Sequence, residues 1–204
     1  MKSYDNYSQQ HLVESVSIIK AFDVRKIESL VEQIATLRAE RGRIFFLGVG
    51  GSAANCSHAV NDFRKLIGVE CYSGTDNVAE LTARTNDDGW ENVFADWLLT
   101  CNPTTKDALM IFSVGGGSIE KRVSANLVKA IDIGKQIGMK VFGIVGRDGG
   151  YTKANADECI TVPVVNPENI TPHSEAMQAV IWHLIVSHPK LKKNPPKWES
   201  ISDV

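Results

Sequence analysis

The sequence predicts an α/β protein. It reads as a single doubly wound domain on a five-stranded parallel sheet flanked by helices, with two extra N-terminal helices. Two observations carry this. Short apolar runs alternate with amphipathic stretches of helical length, the pattern of βαβ units whose strands are buried on both faces. Two of those runs also pass directly into glycine–serine loops that precede helices. In chain order, residues 8–41 read as two helices. Leu12, Val13, Val16, Ile18 and Ile19 form an apolar face on the first. Ile27, Leu30, Val31, Ile34 and Leu37 form one on the second, which is capped by Asp23 and stopped by Gly42. The first pair packs on the sheet or forms a subunit interface. The predicted strands are Ile44–Leu47, Val69–Ser73, Ala108–Ser113, Lys140–Val145 and Glu158–Val162. Helices are expected near 51–67, 87–101, 124–138 and 173–187. The organisation is a helical segment over 1–42, a main body over 43–190 and a tail over 191–204, within which Trp198 is expected to pack.

Composition narrows the function classes. The chain has 204 residues, 43% hydrophobic and 23% charged, which is a globular and not a disordered composition. A net charge of −2, with neither sign in a block, speaks against nucleic acid or an anionic membrane as partner. No run approaches the roughly 20 apolar residues of a membrane span. The N-terminal stretch MKSYDNYSQQ is too polar for a secretory signal. Four dispersed cysteines without CxxC spacing are expected as reduced thiols in a cytoplasmic protein.

The first strand ends in Gly48–Ser52 (GVGGS) and the third in Ser113–Ser118 (SVGGGS). At the carboxyl ends of parallel strands such loops bind anions through backbone amides. Ser52, Ser113 and Ser118, with Gly51 and the amides of Gly115, Gly116 and Gly117, form a candidate phosphate cradle that needs no lysine or arginine. The alternative for each loop is a tight or flexible turn. Gly48, Gly50 and Ala53 also satisfy GxGxxA spacing, but no acidic residue ends the second strand, so a nucleotide cofactor is not expected. Gly146–Gly150 (GRDGG) reads first as turn chemistry. His58 and Asp62 share one helical face, as do Glu175 and His183 on the last helix. The four could bind one divalent metal or supply proton-transfer groups; each alone could equally be a solvated or packed side chain. His11, His173 and His188 are read as structural.

Those residues resemble the sugar isomerase (SIS) domain family, most closely its phosphoheptose isomerase branch. The stretches that match are GVGGSAANCSHAVND, NDDGWENVF, SVGGGS followed by SANLVKAI, GMKVFGIVGRDGG, and the last helix with Glu175 and His183. The resemblance implies a ketose–aldose isomerase that converts sedoheptulose 7-phosphate to D-glycero-D-manno-heptose 7-phosphate at the start of ADP-heptose synthesis. It also implies a homotetramer with sites at subunit boundaries and one zinc per subunit. Ser52, Ser113 and Ser118 fall on phosphate-binding serines, Asp87 on a substrate-contacting acid, His58 on a metal-binding histidine and His183 on the catalytic histidine. Asp62 and Glu175 stand where the family carries glutamate and glutamine. With them the metal set is His58, Asp62, Glu175 and His183, and either carboxylate is the candidate base beside His183. Val114 and Gly115 replace hydroxyl residues, Pro172 replaces an aspartate, and Ile119–Val123 is extra chain. Lys121 or Arg122 within it restores the lost donors or belongs to a solvated loop. The alternative function is a non-catalytic SIS module that binds a phosphosugar or associates with a replication initiator.

Overall fold

The computed structural model describes residues 6–201. The start of the polar N-terminal stretch (1–5) and the end of the tail (202–204) lie outside them. Five parallel strands, β1 (Ile44–Leu47), β2 (Cys71–Ser73), β3 (Ala108–Ser113), β4 (Lys140–Val145) and β5 (Glu158–Thr161), form one sheet in the order β2-β1-β3-β4-β5. Alternate strand residues feed two cores, which is why the runs read as continuously apolar. Phe46, Met110 and Ile144 meet α2 (Val24–Ala39), α3 (Gly51–Asp62) and α8 (Ile170–Ser187) on one face. Phe45, Leu109 and Val141 meet α5 (Val93–Thr100) and α6 (Ala125–Ile137) on the other. The chain therefore leaves β1 toward one face and β3 toward the other. Their carboxyl ends flank the topological switch point, where open sheets of this order bind ligands.

All five apolar residues predicted for α2 are buried, and Asp23 Oδ1 accepts from Arg25 N at its N-cap (3.1 Å). The left-handed residue after that helix is Arg41 (φ 60°), not Gly42. Gly42 is required because a Cβ there would press on the Lys106 backbone. The first helix, α1 (Tyr7–Lys20), buries only Glu14 and Ile18. Leu12, Val13, Val16 and Ile19 are exposed, so its apolar stripe does not pack on the sheet of its own chain. Trp198 is likewise 82% exposed, contrary to the expectation that it packs.

Two helices were not legible. α4 (Val78–Asp87) buries no residue fully, and only Leu81 packs against the second core. Its only local signal is the Asn77 cap, which accepts from the amides of Ala79 and Glu80. The short α7 (Gly150–Asn155) begins inside the GRDGG turn. All four cysteines are free thiols, three of them buried, and burial pushes Cys71 up to about 12 and Cys159 to about 11. No helix among the described residues is long and apolar enough to cross a membrane.

Candidate functional site

Both glycine–serine loops sit at the switch point, and each is fixed by packing. Gly50 (φ 65°) turns the chain from β1 into α3, and Ser52 behind it is buried, accepting from Gln178 Nε2 (3.0 Å). Asn55 Nδ2 donates to Gln178 Oε1 (3.0 Å) and to the Glu175 carbonyl (2.9 Å), so α3 and α8 are zipped side by side. In the second loop Ser113 Oγ accepts from Gly116 N (3.0 Å). The Gly116 carbonyl accepts from Thr152 N and Oγ1, and the Gly117 carbonyl accepts from Tyr151 N. The glycine run is thus a rigid turn clamped onto the start of α7, with Gly116 and Gly117 left-handed (φ 72° and 83°).

The chain beyond that loop forms a small hairpin. Ser118 and Val123 pair as an antiparallel bridge, and Ser118 Oγ accepts from Lys121 N (3.2 Å). Ser124 then caps α6 in a left-handed conformation (φ 50°) without a side-chain cap bond. Sequence reading chose Ser118 for the helix end of this loop and passed over Ser124. The signal was present: Ser124 opens SANLVKAI and is the residue that starts the helix. Asp87 ends α4, is exposed and accepts from Asn86 Nδ2 (2.8 Å).

On the outer face of α3 and α8, His183 joins the His58–Asp62 pair that the spacing placed on one face. Ligand atoms of His58, Asp62 and His183 all lie within 4.8 Å of one another. Asp62 Oδ2 is 3.9 Å from His58 Nε2 and 3.8 Å from His183 Nε2. His183 Nδ1 lies 2.8 Å from the Ala179 carbonyl. A carbonyl only accepts, so Nδ1 donates there and Nε2 is left facing Asp62. A histidine whose second nitrogen is held by a backbone carbonyl is the arrangement that orients a metal ligand or a general base. Trp182, which sequence reading missed, is buried, stacks on His183 (centroids 3.4 Å) and meets His58 edge-on (4.7 Å). The chain widens into a π turn directly after Asp62, at Phe63–Ile67.

Glu175 does not join this group within one chain. It shares a face with His183 but lies about 12 Å away along the helix axis. Its carboxylate packs on Gly51 at the first turn of α3, where a Cβ would come within 2.6 Å of Glu175 Cδ. There it complements the positive end of the α3 dipole. Common helical face was legible from spacing; separation along the axis rules out a four-ligand set in a single chain.

A second group arises where none was expected. His11 and Glu14 of α1 and His173 of α8 also bring ligand atoms within 4.8 Å of one another. Glu14 is buried and accepts from Gln10 Nε2, Asn166 Nδ2, Asn169 Nδ2 and His173 Nε2. The Asn169 and then the His173 bond hold its carboxyl down at about 2. The rings of His11 and His173 stack, with centroids 4.3 Å apart. With four donors already on the carboxylate, this cluster ties α1 to α8. A lowered folded-state value means the stabilisation is complete above the ordinary 4.5 and fades as pH falls toward about 2. Glu14→Gln is therefore expected to flatten the loss of thermal midpoint between about pH 5 and pH 2; equal slopes in both proteins would contradict the linkage.

A scan against known families matches residues 9–146 to the SIS domain. The chain is 31% identical over 156 residues to a phosphoheptose isomerase of Rhodospirillum rubrum, covering 74% of this chain and 77% of that one. The chain belongs to the SIS domain family, on its phosphoheptose isomerase branch. A phosphoheptose isomerase of Aneurinibacillus thermoaerophilus is 29% identical over 191 residues, covering 89% of this chain and 91% of the relative. Among solved structures, the phosphoheptose isomerase of Neisseria gonorrhoeae superimposes with a TM-score of 0.78 at 23% identity. That superposition covers 90% of this SIS domain chain and 98% of the other.

Proposed function

We propose that this SIS domain protein is a ketose–aldose isomerase that interconverts sedoheptulose 7-phosphate and D-glycero-D-manno-heptose 7-phosphate through an enediolate. The observation that carries this reading is the His58–Asp62–His183 group, with the tautomer of His183 set by Ala179. A pure binding module needs no such arrangement, and relatives at both levels of comparison bear the isomerase name.

The loops hold the phosphate. Ser52 and Ser113 hydroxyls each accept one internal bond and keep their own proton to donate outward. Binding the distant phosphate turns remote affinity into placement of the reacting carbons. The Asp62 carboxylate takes the proton from the carbon beside the carbonyl and returns it to the former carbonyl carbon. His183 Nε2 accepts the neighbouring hydroxyl proton and returns it to the other oxygen. Glu175, the other candidate base, lies with the phosphate-holding loops in its own chain. Imidazole and carboxylate donors fit zinc, which His58 and Asp62 would hold, leaving His183 Nε2 free for the hydroxyl proton; bound there it would supply Lewis-acid polarisation of the sugar oxygens.

His58 lies about 10 Å and Asp62 about 16 Å along α3 from Gly51, so loops and proton-transfer group are well separated in one chain. That separation, and the exposed stripe of Leu12, Val13, Val16 and Ile19, support a homotetramer whose sites form at subunit boundaries. The free, mostly buried thiols fit the cytoplasm as its setting. A coupled assay with sedoheptulose 7-phosphate, run with chelator and again with added zinc, tests the reading. Aldose formation abolished by chelator and restored by zinc is the expected result. Turnover unaffected by chelator would remove the metal, and no turnover in either condition would overturn the isomerase.

A further inference from the structure

The phosphate cradle of this chain is short of donors. Val114 and Gly115 carry no hydroxyl, and Gly116 N is spent on Ser113 Oγ. In place of the lost donors the loop runs into the hairpin Ser118–Val123, which directs its charges to two sides. Glu120 and Lys121 line a cavity against Arg147 and Tyr151. Arg122 lines a different one, of about 680 Å³, shared with Ser118 and Ser124, the two serines that bracket the hairpin. Trp90 and Glu91, just beyond Asp87, also line it.

Lys129 Nζ donates to Asn92 Oδ1 (2.7 Å), and Asp132 accepts from Tyr151 Oη (2.5 Å). Among the described residues the Arg122 guanidinium has no hydrogen-bond or ion-pair partner. Its backbone is left-handed (φ 49°), as is that of Ser124 (φ 50°), so the hairpin holds both in a conformation that side chains seldom adopt. A planar guanidinium with unspent donors is suited to a phosphate dianion, which it can grip with two parallel bonds.

We propose that Arg122 is a substrate-positioning and specificity residue: it takes the terminal phosphate of the sugar beside Ser118 and Ser124 and selects phosphorylated over free ketoses. This rests on the sugar-phosphate reading above. Arg122→Gln tests it, with Arg122→Gly as a second variant, since glycine suits the left-handed backbone and leaves the hairpin intact. Both are expected to raise KM for sedoheptulose 7-phosphate about ten- to hundred-fold with kcat changed less than about threefold. Competitive inhibition by inorganic phosphate should weaken by the same factor. Lys106→Ala, an exposed position before β3 at the end of the sheet opposite the loops, should leave both constants unchanged. KM and phosphate inhibition within about twofold of the unaltered protein would overturn the assignment while leaving the isomerase in place. If no sugar phosphate were turned over, calorimetric binding of inorganic phosphate to the unaltered protein and to Arg122→Gly would still decide it. Equal affinity, or no binding to either, overturns the role of Arg122; binding lost only in the variant supports it.

Discussion

Replacement of His183 by alanine is expected to lower kcat about 10²- to 10⁴-fold, the range for loss of a positioned acid–base group. The side chain is 50% exposed, so the urea-unfolding midpoint should move little. Its contribution lies in orientation. The Ala179 carbonyl fixes the Nδ1 proton, Trp182 stacks on the ring, and Nε2 is left facing Asp62 at 3.8 Å. His173 on the same helix makes the contrast. It is 3% exposed and bound to Glu14, so its replacement should register in stability before turnover. Turnover of His183→Ala within a few-fold of the unaltered protein would show that proton transfer is carried by other groups.

The fold was legible wherever burial imposed a pattern. Ile44–Leu47, Ala108–Ser113 and Lys140–Val145 match their observed strands residue for residue, because both faces of each are covered. α4 escaped because nothing in it is fully buried, and α7 because six residues beginning in a glycine turn cannot show a helical period. Within the site, residue types were legible and pairings were not. Periodicity placed His58 with Asp62, but the meeting of α3 with α8 depends on the buried Ser52–Gln178–Asn55 contacts, which no local pattern encodes. The same limit hid the Glu14 cluster, whose members are separated by about 150 positions of chain. Glu175 was misplaced for a different reason: common face was weighed and distance along the axis was not.

Gly116→Ala is the substitution expected to cost the second loop most. At φ 72° an alanine pays about 1–2 kcal/mol for the left-handed backbone alone. Its Cβ would also lie 2.6 Å from Gly149 C, against main chain that cannot rotate aside. Relief requires moving the loop off α7, which breaks the bonds from Thr152 N and Oγ1 (2.9 and 2.8 Å) to the Gly116 carbonyl. A total loss of about 3 kcal/mol or more follows, read as a lower urea midpoint. Because Ser113 Oγ is tied to the Gly116 amide, the displaced loop should also raise KM for the sugar phosphate. Gly115→Ala provides the comparison one position away. Its φ is not left-handed and its Cβ would meet only Arg147 Cδ at 3.6 Å, so its midpoint should move by less than about 1 kcal/mol. Similar midpoints for the two variants would mean that the glycine run is a yielding turn and not a clamped one. The phosphate would then have to order the loop as it binds, and part of its binding energy would go to that ordering instead of to catalysis.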